Sequence, residues 1–257
     1  MLDIHAVSRH FEGLAALTYV NLSVPEGKVV GLIGPNGAGK TTLLNCISGL
    51  DHPTSGTITF RGVPIQRAAP HRITALGISR TYQNIRLFNE MSALENVIIG
   101  QHRHGRSTLL HSLFAWPYHR REEASINRQA HDLLERFQLG AVARARAGTL
   151  SYGDQRRLEM ARALATGPRL ILLDEPTAGM NAVETHALGE QILRMPREGI
   201  TVVVVEHDMA LIGQVCDEVY VLNFGEVIAH GTPAEVRQNP EVIEAYLGKE
   251  EYHDAPA

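Results

Sequence analysis

Three unbroken apolar runs punctuate the chain: Val29–Ile33, Leu170–Leu173 and Thr201–Val205. Runs of this length suit strands buried on both faces, as in a parallel sheet covered by helices. Between them lie segments whose apolar residues recur at helical spacing, at 41–48, 130–137, 158–165 and 183–193. Buried strands alternating with helices predict an α/β fold built on a mainly parallel sheet. The first 65 residues read differently. Ile4–Val7, Val20–Val24 and Thr57–Phe60 are short, partly alternating segments bounded by turn formers at Pro25–Gly27 and Pro53–Gly56, which predicts an antiparallel β portion. Val219–Leu222 and Val227–Ala229 read as a hairpin through Asn223–Glu226. Two final short helices begin at Pro233 and Pro240, and the tail from Lys249 is polar.

The stretch from about Gln83 to Leu150 carries no buried-strand signal and reads as a mostly helical insertion. At this length the chain is one large domain or a domain with a sub-domain, taken over 1–248. Residues 1–82 give the β portion and the first part of the core, 83–165 the helical portion, and 166–248 the remaining core with hairpin and final helices. Residues 249–257 form a flexible tail. Within the helical portion, LSYGDQRRLEMARALA (Leu150–Ala165) has Ser151 three residues before Asp154 and then an apolar stripe. That is a capped helix start, and Ser92–Glu95 and Thr232–Glu235 repeat the spacing. Whether the start at Ser151 also meets a ligand is left open by its own residues.

Composition narrows the class. A net charge of −4 gives no basic face for nucleic acid. Two cysteines, Cys46 and Cys216, have no partner motif, which fits a reduced cytosolic compartment. No signal peptide opens the chain, and its apolar runs are far shorter than the ~20 residues of a spanning helix. A soluble chain is expected, one still able to dock on a membrane protein.

The chemistry enters where Val29–Ile33 runs into Gly34-Pro35-Asn36-Gly37-Ala38-Gly39-Lys40-Thr41. This is G-x-x-x-x-G-K-T after a strand and opening a helix. Glycines let backbone N–H groups turn inward around phosphate oxygens, and the helix start aims its dipole at the anion. Lys40 can reach the β- and γ-phosphates, and the Thr41 hydroxyl can ligate Mg²⁺. A chance match in a chain of this composition is on the order of one per cent. Leu170–Leu173 then ends in Asp174-Glu175. Acids closing a buried strand need a cation. Asp174 is placed to hold the Mg²⁺ shell, and Glu175 to orient and polarise an attacking water. Val202–Val205 ends in Glu206-His207-Asp208, where His207 is either an ordinary satisfied polar residue or a γ-phosphate contact. Residue types alone thus reach a Mg-nucleotide phosphohydrolase or kinase. The guanine-reading N-K-x-D element of GTPases is absent.

GPNGAGKTT, LSYGDQRRLEMARALA, LILLDEP and VVVVEHD, in this order and spacing, resemble the ATP-binding subunits of ABC transporters across residues 1–248. The resemblance implies that Gly34–Thr42, including Thr42, is the Walker A loop and that Asp174 with Glu175 forms the Walker B end with its catalytic base. It implies that His207 is the switch histidine, and that Gln83 of Arg80-Thr81-Tyr82-Gln83 senses Mg²⁺ and couples to the membrane subunit. Phe11 matches the adenine-stacking aromatic, with core packing as the alternative. Two subunits would sandwich two ATP molecules, so that Ser151 and Gly153 of one chain meet the γ-phosphate held by the other.

Within that family the chain is most similar to the larger ATPase of importers of branched-chain amino acids and related amides. The supporting segments are RTYQNIRLFNEMSALENVIIG, Ala178–Asn181 and HGTPAEVRQNPEVIEAYLG. The partners implied are a second ATPase subunit, identical or different, two membrane permeases, and indirectly a solute-binding protein. No nucleic acid is implied, and the place is the cytoplasmic face of the membrane. A lipopolysaccharide-export ATPase is the rival transport reading. A non-transport ABC ATPase lacks its expected coiled coils or second cassette here, and a small-molecule kinase would not need LSYGD. The insert His102–Arg121, with Leu109, Leu110, Phe114 and Trp116 among arginines, either faces a partner or is an exposed loop. The chain departs from the general family pattern in two places: Tyr152 and Asp154 replace the Gly and Gln of LSGGQ, and Asn181 replaces an Asp.

Overall fold

The computed structural model describes residues 1–101 and 117–247. In chain order they form β1 (Leu2–Phe11), β2 (Leu14–Val24), β3 (Val29–Ile33), α1 (Lys40–Ser48), β4 (Ser55–Phe60), β5 (Val63–Pro64), α2 (Pro70–Leu76) and β6 (Ile78–Arg80). There follow α3 (Ala93–Gln101), α4 (Pro117–Arg136), α5 (Tyr152–Ala165), β7 (Leu170–Asp174), α6 (Ala182–Arg194) and β8 (Thr201–Val205). The chain closes with α7 (Met209–Val215), β9 (Glu218–Asn223), β10 (Glu226–Gly231), α8 (Pro233–Gln238) and α9 (Pro240–Leu247). Two compact units result, one of Met1–Pro70 with the chain from Gly189 onward, the other of His71–Leu188.

The first unit holds the predicted antiparallel portion as a four-stranded sheet in the order β2-β1-β4-β5. Leu2 stands opposite Val24 on one side and Phe60 on the other, and all three are buried. The strands run longer than their apolar segments because their outer residues alternate with exposed polar ones. Beside this sheet, β3 pairs in parallel with both β8 and β9, and β10 returns antiparallel on β9. All five residues of β3 and of β8 are buried, as their unbroken apolar character predicts. The β9–β10 hairpin turns on Phe224 and Gly225, both at positive φ (46° and 83°), the geometry a two-residue turn requires. Cys46 of α1 and Cys216 after α7 are free. Burial pushes their thiols up to about 11 and about 12 respectively.

In the second unit β6 pairs in parallel with β7, and α3, α4 and α5 pack on one another. Among the described residues of 83–150 there is no strand, only an isolated bridge between Ser92 and Arg146. Helix α4 begins well before the predicted 130, because residues 123–129 are mostly polar and exposed and the sequence before 130 carries no apolar stripe. Ser92 and Glu95 cap α3 reciprocally, with the Ser92 N–H donating to Glu95 at 2.7 Å and the Glu95 N–H to Ser92 Oγ at 3.2 Å. Among the described residues no helix is long and apolar enough to cross a membrane.

Candidate nucleotide-binding site

In the first unit β3 delivers the chain to Gly34 and α1 takes it up at Lys40. Two glycines are required by their surroundings. Gly34 has φ 146°, and a Cβ there would stand 2.0 Å from the Leu222 carbonyl oxygen. Gly39 has φ 103°, and a Cβ there would stand 2.6 Å from the Ala16 carbonyl oxygen. The β9–β10 turn buttresses the loop, since the Gly225 N–H donates to Ala38 O at 3.0 Å and the Thr18 N–H to Gly225 O at 2.8 Å. Helix α5 is capped by Ser151, α7 by Asp208 and α8 by Thr232, but α1 has no side-chain cap. A helix start without a side-chain cap can take an anion, which is the fit a nucleotide phosphate needs.

Lys40 is 7 % exposed, and its ammonium donates to Gly34 O at 2.6 Å and Pro35 O at 2.9 Å. Asn36, Gly37 and Thr41 are exposed, Pro35 and Thr42 half-buried, Ala38 buried. Helix α9 reaches the start of the loop, where the Gly34 N–H donates to the Tyr246 hydroxyl and burial raises the Tyr246 pKa. Phe11 is exposed on one side, while the Arg9 guanidinium lies 4.2 Å over its ring and pairs with Asp51 at 2.9 Å. This excludes simple core packing. His207 is exposed at the end of β8. Its N–H donates to the buried Glu206 carboxylate at 3.1 Å, and Asp208 accepts from Ala210 and Leu211 to start α7.

The second unit contains Gln83, Ser151, Gly153, Asp174 and Glu175. Asp174, 2 % exposed, ends β7. Its carboxylate meets the Arg80 guanidinium at 2.9 Å, and its N–H donates to Thr81 Oγ1 at 3.2 Å. The expectation that this buried acid needs a cation is met by Arg80. Glu175 follows with φ 47°, a left-handed conformation that costs a non-glycine residue about 1–2 kcal/mol. Its carboxylate accepts from the Gln83 amide at 2.9 Å, so these two site residues are brought together.

Ser151 Oγ accepts the Asp154 N–H at 3.1 Å and donates to the Asp154 carboxylate at 2.7 Å, the capped start the sequence predicts. Gly153 lies near Glu184, whose carboxylate would be 2.9 Å from a Cβ. The two departures from the family pattern have local roles. Tyr152 packs on Gly179 and receives an Arg156 hydrogen bond at 3.0 Å. Asn181 accepts the N–H groups of Val183 and Glu184, both at 3.0 Å, and so caps α6.

Four residues that sequence reasoning passed over matter here: Arg80, Arg156, Glu159 and Tyr246. Arg156 and Glu159 sit among the buried positions of α5, and two opposite charges one turn apart on an otherwise apolar face was the available signal. The segment 102–116 and the side chains of residues 117–122, which make up the insert His102–Arg121, lie outside the described residues, as does the tail.

A glycine loop fixed between a buried parallel strand and an uncapped helix defines a P-loop nucleotide-binding fold. The chain belongs to the ATP-binding cassettes of ABC transporters, an ATP-hydrolysing family. The ABC transporter family model matches residues 17–178, and that of the branched-chain amino acid ATP-binding cassette transporter matches residues 226–252. The high-affinity branched-chain amino acid transport ATP-binding protein BraF of Pseudomonas aeruginosa is 46 % identical over 250 residues, covering 97 % of this chain and 98 % of that one. The ADP conformation of an ATP-binding cassette of an ABC transporter superposes with a TM-score of 0.83 at 33 % identity, covering 97 % and 99 %. A dimeric cassette in a post-hydrolysis state, bound to ADP and Pi, superposes with a TM-score of 0.79 at 27 % identity over 91 % and 99 %.

Proposed function

We propose that this chain is the ATP-hydrolysing subunit of an importer for branched-chain amino acids or related amides. The observation that carries the reading is full-length similarity to a branched-chain amino acid transport ATP-binding protein, reinforced by the specialised match at the C-terminal end. The loop Gly34–Thr42 holds the triphosphate, Lys40 draws the β- and γ-oxygens, and Phe11 stacks on adenine. Thr41, Asp174 and Gln83 would hold Mg²⁺, which when bound supplies charge neutralisation at the phosphate oxygens. Glu175 orients and polarises the attacking water, and His207 contacts the γ-phosphate. Ser151 and Gly153 serve the ATP held by a partner ATPase; the dimeric post-hydrolysis cassette supports that pairing. Closure of the pair then works on two permeases at the cytoplasmic face of a membrane, fed by a solute-binding protein.

The test is Glu175→Gln. Hydrolysis should fall about a hundredfold or more while nucleotide still binds. With MgATP the variant should double its mass from the 28.2 kDa of one chain, read by light scattering. An unchanged rate would remove Glu175 from its assigned role.

A further inference from the structure

We propose that Arg156 and Glu159 of α5 form a positioning clamp on the backbone of residues 82–86, setting where Gln83 meets Glu175. The inference rests on the functional reading above only in taking Glu175 as the base. Arg156 and Glu159 stand one turn apart, each 2 % exposed, with their charged groups 3.4 Å apart. Arg156 donates to the carbonyl of Tyr82 at 2.6 Å and to that of Gln83. Glu159 accepts the N–H of Tyr82 at 3.4 Å and that of Arg86 at 3.3 Å. One residue pair therefore grips both the donors and the acceptors of a loop that has no regular secondary structure of its own.

Burying two opposite charges is an expensive way to join a helix to a loop, because their desolvation rivals their attraction. Burial raises the Glu159 pKa, against the opposing pull of the Arg86 N–H, Arg156, Arg162 and the Tyr82 N–H. Apolar side chains would fill the same space, but they would leave the carbonyls of Tyr82 and Gln83 without these donors. Arg156 Nη2 also donates to the Tyr152 hydroxyl at 3.0 Å, in the first turn that Ser151 caps. The start of α5 and the loop are thereby tied as one body. Gln83 extends from that body to Glu175 at 2.9 Å. A displacement at Ser151 thus reaches the carboxylate of Glu175 through two residues and one amide, and neither Arg156 nor Glu159 touches the reacting atoms.

The experiment is a double-mutant cycle on the full chain with Arg156→Met and Gln83→Ala, read three ways. Arg156→Met should bind a fluorescent ATP analogue within about twofold of wild type and lose about tenfold or more in kcat. It should cost nothing further in the Gln83→Ala background, because the clamp acts through Gln83. Without nucleotide, hydrogen exchange of amides 82–86 should accelerate while that of β3 and β8 stays unchanged. Additive losses in the cycle, or unaltered exchange at 82–86, overturn the clamp. If Arg156→Met does not melt cooperatively, Arg156→Lys keeps the charge with a single donor site, and should give an intermediate kcat with the same non-additivity. A wild-type chain that failed to hydrolyse ATP would overturn the functional reading instead, and the exchange measurement would still decide the clamp.

Discussion

Asp174 illustrates how a single buried residue depends on one partner. Its carboxylate is nearly inaccessible and its partner Arg80 equally so, with side-chain exposures of 3 % and 5 %. Removing one member of such a pair strands the other as an uncompensated buried charge. Arg80→Ala should therefore lower the unfolding free energy by about 3–5 kcal/mol, measured by urea denaturation, and Arg80→Lys by less. Local pattern shows Asp174 and Glu175 readily, since two acids closing an apolar strand are anomalous wherever they occur. It does not show Arg80. The ion pair joins positions far apart in the chain, and an arginine beside a threonine is unremarkable until the fold brings β6 against β7. The left-handed backbone of Glu175 is equally silent, because nothing in a glutamate announces a positive φ.

At the scale of elements, the signals that can be read are those repeated over several residues. β3 and β8 fall on the predicted residues because every side chain in them is apolar. β6 and α2, of three and seven residues, are too short for any period to emerge, and only their setting makes them regular. Caps are readable when their partner lies within one turn. Ser92, Ser151 and Thr232 all act as predicted, and Thr232 shares a complete capping box with Glu235. Asn181 is the instructive case. As a departure from the family pattern it invites a catalytic explanation, yet here its side chain accepts two N–H groups at the start of α6, and the Asn181 N–H donates to the Glu184 carboxylate at 3.0 Å. Asn181→Ala should cost about 1 kcal/mol of stability in thermal denaturation, while Asn181→Asp should retain most of it.

For the whole molecule, the sequence motifs sort between the two compact units. The P-loop and His207 fall in one, and Gln83, the capped start of α5 and the Asp174-Glu175 pair fall in the other. That division follows chain order only loosely, since Gly189 onward rejoins the first seventy residues. A linear reading sees neighbours along the chain, whereas these units are defined by contacts such as β3 with β8, formed across much of its length.

The two cysteines have a practical consequence at this scale. With pKa values pushed up to about 11 and about 12, both thiols stay protonated at neutral pH, and the thiolate is the reactive form. The native chain should react very slowly with an aromatic disulfide reagent at pH 7, faster only as the pH approaches 11, and should release two equivalents at once in denaturant. A single cysteine introduced on an exposed face would then be the one position a maleimide dye attaches to. Spectroscopic rulers could follow this subunit through its cycle with both natural cysteines still in place.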